Sequence, residues 1–318
     1  MLSRRCCMNI FIAGATGAVG RALIPQLTDR GHTVTGTTRS PEKAELVRSL
    51  GATPVVVDGL DRGALLNAIK AVEPDVVVHQ MTALSNMDDL RHFDRVFATT
   101  NRLRTEGTDT ILAAAREVGA LPIVQSFAGW PYEPTGSRIK DEDAPLISDP
   151  PKQLRARIEA IRHVETVVPA AGGMVLRYGG FYGPGTGLVP GGDQWEMVRA
   201  RKFPLVGDGG GMWSLCHIAD AASATVAAIE HPVPGGVFNI CDDEPAPARE
   251  FLPYLADVVG AKPPRHIPRW VARLMGAHLV LMMCTARGAS NARAKQVLGW
   301  EPSVKTWRDG FRQLSTVS

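Results

Sequence analysis

The sequence predicts an α/β protein: a doubly wound parallel sheet covered by helices on both faces, with a smaller, mostly helical C-terminal lobe. Three observations predict it. Short Val/Ile-rich runs alternate with helical spacings along the first 180 or so residues. Helices between such runs mean a parallel sheet covered on both faces. After Tyr182 the texture changes to glycine/proline loops, "GPGTGLVPGGD" and "GDGGGMW", and then to a proline-punctuated helical tail from Pro245.

The elements follow in order. "NIFIAG" is a buried strand and "AVGRALIPQLTDRG" a helix closed by Gly31. "HTVTGTTR" is a second strand, and "SPEKAELVRSLG" a helix with Ser40 as N-cap and Pro41 at its first position. "ATPVVVDG", "PDVVVHQMTA", "LPIVQSFA" and "GGMVLRYGG" continue the series to six strands, separated by helices such as "TNRLRTEGTDTILAAAREVG".

Bulk properties narrow the function. The chain has 318 residues, 45% hydrophobic and 21% charged, which suits a compact enzyme in one or two domains. A net charge of +3 without any Lys/Arg block gives no footing for nucleic acid. The five cysteines, Cys6, Cys7, Cys216, Cys241 and Cys284, make no metal spacing, so reduced cytoplasmic thiols and no metal are expected. The start "MLSRRCCMNIFIAGATGAVG" imitates a secretory leader, but its apolar run dissolves into glycines, and a first strand explains it better. The apolar stretch around Leu279–Cys284 is far short of the ~20 residues that span a bilayer, so no membrane partner is expected.

"GATGAVG" carries the most chemistry. It sets Gly14, Thr16, Gly17, Ala18, Val19 and Gly20 between the first strand and the first helix. Glycines there allow a tight turn, close approach of a pyrophosphate and close helix–strand packing, with free helix N–H groups facing the anion. Residues 1–182, with 214–242 returning, are therefore expected to bind a dinucleotide in a Rossmann-type sheet. Residues 183–213 and 243–318 are expected to form the substrate lobe. The second strand ends in Thr37, Thr38 and Arg39, with no carboxylate for a ribose 2′-hydroxyl; Arg39 can instead fork onto a 2′-phosphate, so NADP(H) is expected over NAD(H). Asp58 either accepts from the adenine amino group or caps its own turn.

With "VLRYGGFYGPGTG", "CHIADAASATVAAIEHP", "GGVFNICDDEP" and "SNARAKQVLGWEP", the chain resembles the extended short-chain dehydrogenase/reductase superfamily of epimerases, dehydratases and reductases over nearly its whole length. The resemblance implies that His79 to Thr82, with Gln80 and Met81, line the cofactor. It also implies that Tyr178 to Tyr182, Phe181 among them, lie beside the nicotinamide, and it makes a homodimer an expectation. The family reacts through a Ser/Thr and a Tyr-x-x-x-Lys one helical turn apart, the lysine lowering the pKa of the tyrosine. Ser126 matches the serine. Tyr-x-x-x-Lys occurs nowhere in the chain: Arg157 stands at the tyrosine position and Ile161 at the lysine position. This is the pattern of atypical members.

Replacement acids are sought nearby. Tyr132, paired with Ser126, is the first candidate and Tyr182 the second; His79 and His217 are neutral-pH candidates, though such histidines more often serve structure. Arg157 can hold an anion but cannot act as a base. Where relatives carry an arginine for a sugar-nucleotide diphosphate, "WSLCHIAD" has Trp213, which forfeits a charge-assisted contact of about 1.5–3 kcal/mol. With Trp195 it lines a site for a small-molecule substrate more apolar than a nucleotide sugar. Three functions compete: an NADP(H)-dependent reductase of a small or apolar carbonyl or activated alkene, an epimerase or dehydratase with retained cofactor, and a catalytically silent NADP sensor.

Overall fold

The computed structural model describes residues 7–83, 93–129 and 131–315. Seven strands form one parallel sheet: β1 Asn9–Ala13, β2 Thr33–Thr38, β3 Thr53–Val56, β4 Val76–His79, β5 Leu121–Phe127, β6 Met174–Tyr178 and β7 Val237–Ile240. Their order is β7-β6-β5-β4-β1-β2-β3, every neighbouring pair parallel. The chain leaves β1 toward β2 on one side and resumes at β4 on the other. That switch point opens a crevice at the carboxyl ends of the strands, where open α/β sheets bind ligands. The sequence series ends at six strands; β7, inside the 214–242 segment expected to return to the sheet, pairs with β6 from Val237↔Val175 to Ile240↔Tyr178 after an excursion of nearly sixty residues.

Both faces of the sheet are covered, which explains the apolar runs Ile10–Ala13 and Val76–Val78. Ile10 and Ile12 pack beneath helices α1 (Ala18–Thr28) and, later in the chain, Ile218–Glu230. Phe11 and Ala13 point the other way, into a core with Leu65, Ile69, Val77 and Ile111. On that side, helix α2 (Phe93–Arg102) runs through a π turn at Leu103–Gly107 into α3 (Thr108–Val118). Single π turns inside helices occur often at functional sites.

Helix α4 (Lys152–Ala170) lies against α2 and the sheet. Its stripe Leu154, Ile158, Ile161, Val164 and Val168 is fully buried, each side chain contributing about 1.5–3 kcal/mol relative to exposure. A separate core holds the later chain together, with Val206, Phe251, Leu255, Met283, Trp307 and Phe311 gathered around Tyr182. The "SPEKAELVRSLG" helix differs in detail from the sequence pattern. It begins as a 3-10 turn over Pro41–Lys43 and becomes α-helical at Ala44–Ser49. Ser40 bonds the Glu42 side chain rather than capping the backbone.

Candidate active site

The glycine turn sits at the switch point, and its three glycines differ in what requires them. Gly14 has φ +100°, and a Cβ there would lie 2.8 Å from the backbone carbonyl carbon of Gln80. At Gly20 a Cβ would meet the Gly14 and Ala15 carbonyl oxygens at 2.6 Å. Those two glycines are demanded by the fold itself. Gly17 is exposed, has an ordinary φ of −72°, and a Cβ there would meet Gly14 O at 3.3 Å. It is the N-cap of α1, and among the described residues no side chain caps that helix. The bare backbone at this helix N-terminus is what a pyrophosphate needs, so the residues fit a dinucleotide.

The end of β2 is tied to this turn: Gly14 N–H donates to Thr37 Oγ1 at 3.0 Å and Ala15 N–H to Thr37 O at 3.1 Å. Arg39, exposed, follows two residues on. Asp58 is also exposed, and its Oδ1 accepts the Leu60 N–H at 3.0 Å, so it caps its own turn. Thr16 and Ala18 are half-buried at the turn, while Val19 is buried in the core. Gln80 is held over the crevice floor by its N–H to Ala13 O, and its Nε2 donates to the Tyr178 hydroxyl at 2.9 Å. That hydroxyl also meets Thr225 Oγ1 at 2.7 Å. Tyr178 is therefore fully buried, its pKa raised by burial, and Phe181 packs on its ring at 5.4 Å. Met81 is buried against Gly59.

The structure joins Ser126 and Tyr132 through two residues that motif matching gave no functional role. Ser126 Oγ donates to Glu165 Oε1 at 2.9 Å. Arg177 forks onto the same carboxylate at 2.8 and 2.7 Å and reaches Glu142 O and the Tyr132 hydroxyl. Tyr132 in turn donates to Asn239 Oδ1 at 2.5 Å. Burial raises the Tyr132 pKa, more than Arg177 lowers it. Burial works against the charge of Arg177, but pairing with Glu165 more than compensates and holds the guanidinium protonated. Ser126 and Tyr132 thus occupy the interior of a cross-braced network, each with its hydroxyl committed.

Tyr182 lies under the C-terminal helix Trp307–Ser315, with His217 and Phe311 edge-on at 5.3 and 5.2 Å. It is fully buried, and burial followed by the charge of Asp242 raises its pKa. Trp213 packs on Phe251 and Phe203 and donates its indole N–H to Met282 O at 2.8 Å. Trp195 is buried in the later core. His79 is neutral, its pKa lowered to about 4 by burial. Its Nε2–H donates to Leu103 O at 2.9 Å and its Nδ1 accepts from Met81 N–H at 3.1 Å, so it braces the start of the π turn.

Arg157 is buried on α4, its guanidinium over the Phe97 ring at 3.9 Å and the Phe127 ring at 4.6 Å. Burial lowers its pKa, and the nearby charge of Arg104 lowers it further. Ile161, one turn on, is fully buried packing. Among the described residues no group of His, Cys, Asp or Glu could hold a metal, and no helix is long and apolar enough to cross a membrane.

A seven-stranded doubly wound sheet with a glycine turn at its switch point defines a dinucleotide-binding protein of the Rossmann type. Comparison with known proteins places it further: residues 10–241 match the NAD dependent epimerase/dehydratase family, and the chain belongs to that family, within the extended short-chain dehydrogenase/reductase superfamily. It is 43% identical over 308 residues to a 3-diazoavenalumate denitrifying reductase of Streptomyces sp, covering 96% of this chain and 99% of that one. It is 30% identical to a 4-hydroxy-2-methyl-3-oxo-4-farnesyl-3,4-dihydroquinoline-1-oxide ketoreductase of Stigmatella aurantiaca, covering 86% and 79%. Among solved structures it shares its fold with Thermus thermophilus UDP-glucose 4-epimerase in complex with NAD, with a TM-score of 0.71, 22% identity, and coverage of 97% and 98%.

Proposed function

We propose that the protein is an NADP(H)-dependent reductase whose substrate needs no proton from the protein at the reacting atom. The observation that carries this reading is the face of α4 where the family resemblance expects an acid. Arg157 and Ile161 stand there, both buried, and neither gives up a proton at neutral pH. The phenols of Tyr132, Tyr178 and Tyr182 are all buried, with pKa values raised above the ordinary tyrosine range. Epimerisation with a retained cofactor starts by taking a proton from a hydroxyl, so the same face weighs against it.

Gly17 and the N-terminus of α1 would hold the pyrophosphate and Arg39 the 2′-phosphate; bound there, NADPH supplies a hydride. A ketone that accepts hydride becomes an alkoxide that must be protonated. An arenediazonium does not. Hydride on its outer nitrogen makes an aryldiazene; the C–N bond then breaks, dinitrogen leaves, and the N–H hydrogen passes to the ring carbon. Atoms and electrons balance with no proton drawn from the protein. The Streptomyces relative is named for a diazo substrate and its denitrifying reduction, which supports diazo arenes as the substrate class.

With NADPH and an arenediazonium substrate, NADPH absorbance is expected to decay in step with dinitrogen released. NADPH consumption by simple ketones, with the diazo compound inert, overturns the reading. Arg39→Ala is expected to weaken NADPH about 10- to 100-fold while leaving NADH unchanged, as loss of one charge-assisted fork implies. Equal effects on the two cofactors, by isothermal titration, refute the NADP preference.

A further inference from the structure

Arg104 lies in the π turn between α2 and α3, on a stripe with Thr100, Thr108 and Ile111 that is otherwise buried and uncharged. It is 3% exposed, and among the described residues neither its Nε nor its Nη1 has a hydrogen-bond partner. Buried guanidinium donors left without acceptors are unfavourable, and in native proteins they call for an explanation. Glu165 is the carboxylate whose charge Arg104 feels, yet both its oxygens are already engaged by Arg177, one of them also by Ser126. Burial lowers the Arg104 pKa to about 10, which still leaves it charged at neutral pH. Arg157 adds a second buried cation close enough for the two to repel.

The surroundings of the Arg157 charge are apolar and aromatic. Phe97 and Phe127 face the Arg157 guanidinium, and Leu154, Ile158, Met282 and Trp213 pack in the same cluster. We infer that Arg104, with Arg157 beside it, seats an anionic oxygen of an aromatic substrate, a carboxylate or a phenolate, whose ring packs among Phe97, Phe127 and Trp213. The inference rests on the reductase reading above. It supplies the acceptor that the Arg104 donors lack, and it selects aromatic acids over neutral analogues.

The test uses the NADP+-loaded protein and three stable probes: cinnamate (carboxylate only), 4-nitrophenolate above its pKa (phenolate only), and cinnamamide (neither). At least one anion is expected to bind tenfold or more tightly than cinnamamide by isothermal titration, and which anion does so identifies the source of the oxygen. Arg104→Met and the polar neutral variant Arg104→Gln are each expected to erase that preference, and Arg104→Lys to retain part of it. NADPH affinity should stay within twofold of wild type in all three. A folded Arg104→Met is expected to melt no lower than wild type when empty, because a buried unpaired charge has been removed. Equal binding of all three probes to the wild type, or an anion preference that survives in Arg104→Gln, overturns the inference while leaving the reductase reading intact. Failure of the wild type to bind NADPH at all sinks the reductase reading instead.

Discussion

Replacing Glu165 by glutamine is expected to cost about 3–5 kcal/mol of stability and lower Tm by on the order of 10 °C. The carboxylate accepts Arg177 through both its oxygens and Ser126 through one, and the side chains of the ion pair are 6% and 8% exposed. Glutamine keeps the shape but loses the charge. Arg177 is then left as an uncompensated buried cation, and Arg104, which also feels Glu165, loses its balancing charge. Breaking one side of a buried pair is far more damaging than never having built it. The double variant Glu165→Gln with Arg177→Met should therefore recover a large part of the loss. Thermal denaturation of both proteins checks this, and a single variant that melts within about 2 °C of wild type refutes it.

The second large effect separates fold from cofactor within one turn. Gly14→Ala forces a Cβ to 2.8 Å from the Gln80 carbonyl carbon at φ +100°. Left-handed strain alone costs on the order of 1–3 kcal/mol, and the overlap adds to it, so the protein is expected to melt well below wild type. Gly17→Ala meets no comparable obstruction, and at an N-cap it costs only about 1 kcal/mol. Its methyl group, though, stands on the exposed backbone that the pyrophosphate approaches. Gly17→Ala is therefore expected to remain folded while binding NADPH at least tenfold more weakly. A Gly17→Ala protein with wild-type NADPH affinity would remove the glycine turn from the cofactor site.

Most of the sheet is legible in the chain because its cause is local. "NIFIAG" and "PDVVVH" carry apolar side chains to both faces, "HTVTGTT" is rich in β-branched residues, and the glycine turn follows the first of them directly. The missing Tyr-x-x-x-Lys is legible for the same reason, since two positions four residues apart decide it. Arg104 was legible in principle: an arginine at helical spacing between Thr100 and Thr108, on a stripe continuing to Ile111, marks a charge turned inward. Its neighbours Arg102 and Glu106, paired with each other on the exposed side, mask that signal.

What the residues determined alone is therefore the doubly wound sheet, the phosphate-ready turn and the absence of the usual acid. The tertiary structure decided which polar side chains are committed and which are left with donors to offer. Tyr132 meets Asn239 across 107 positions of chain, and Ser126 meets Glu165 across 39. Burial of apolar faces follows a period of two or 3.6 residues and can be read from neighbours. A buried hydroxyl or guanidinium must find its partner wherever the fold brings one, and sequence spacing does not encode that distance.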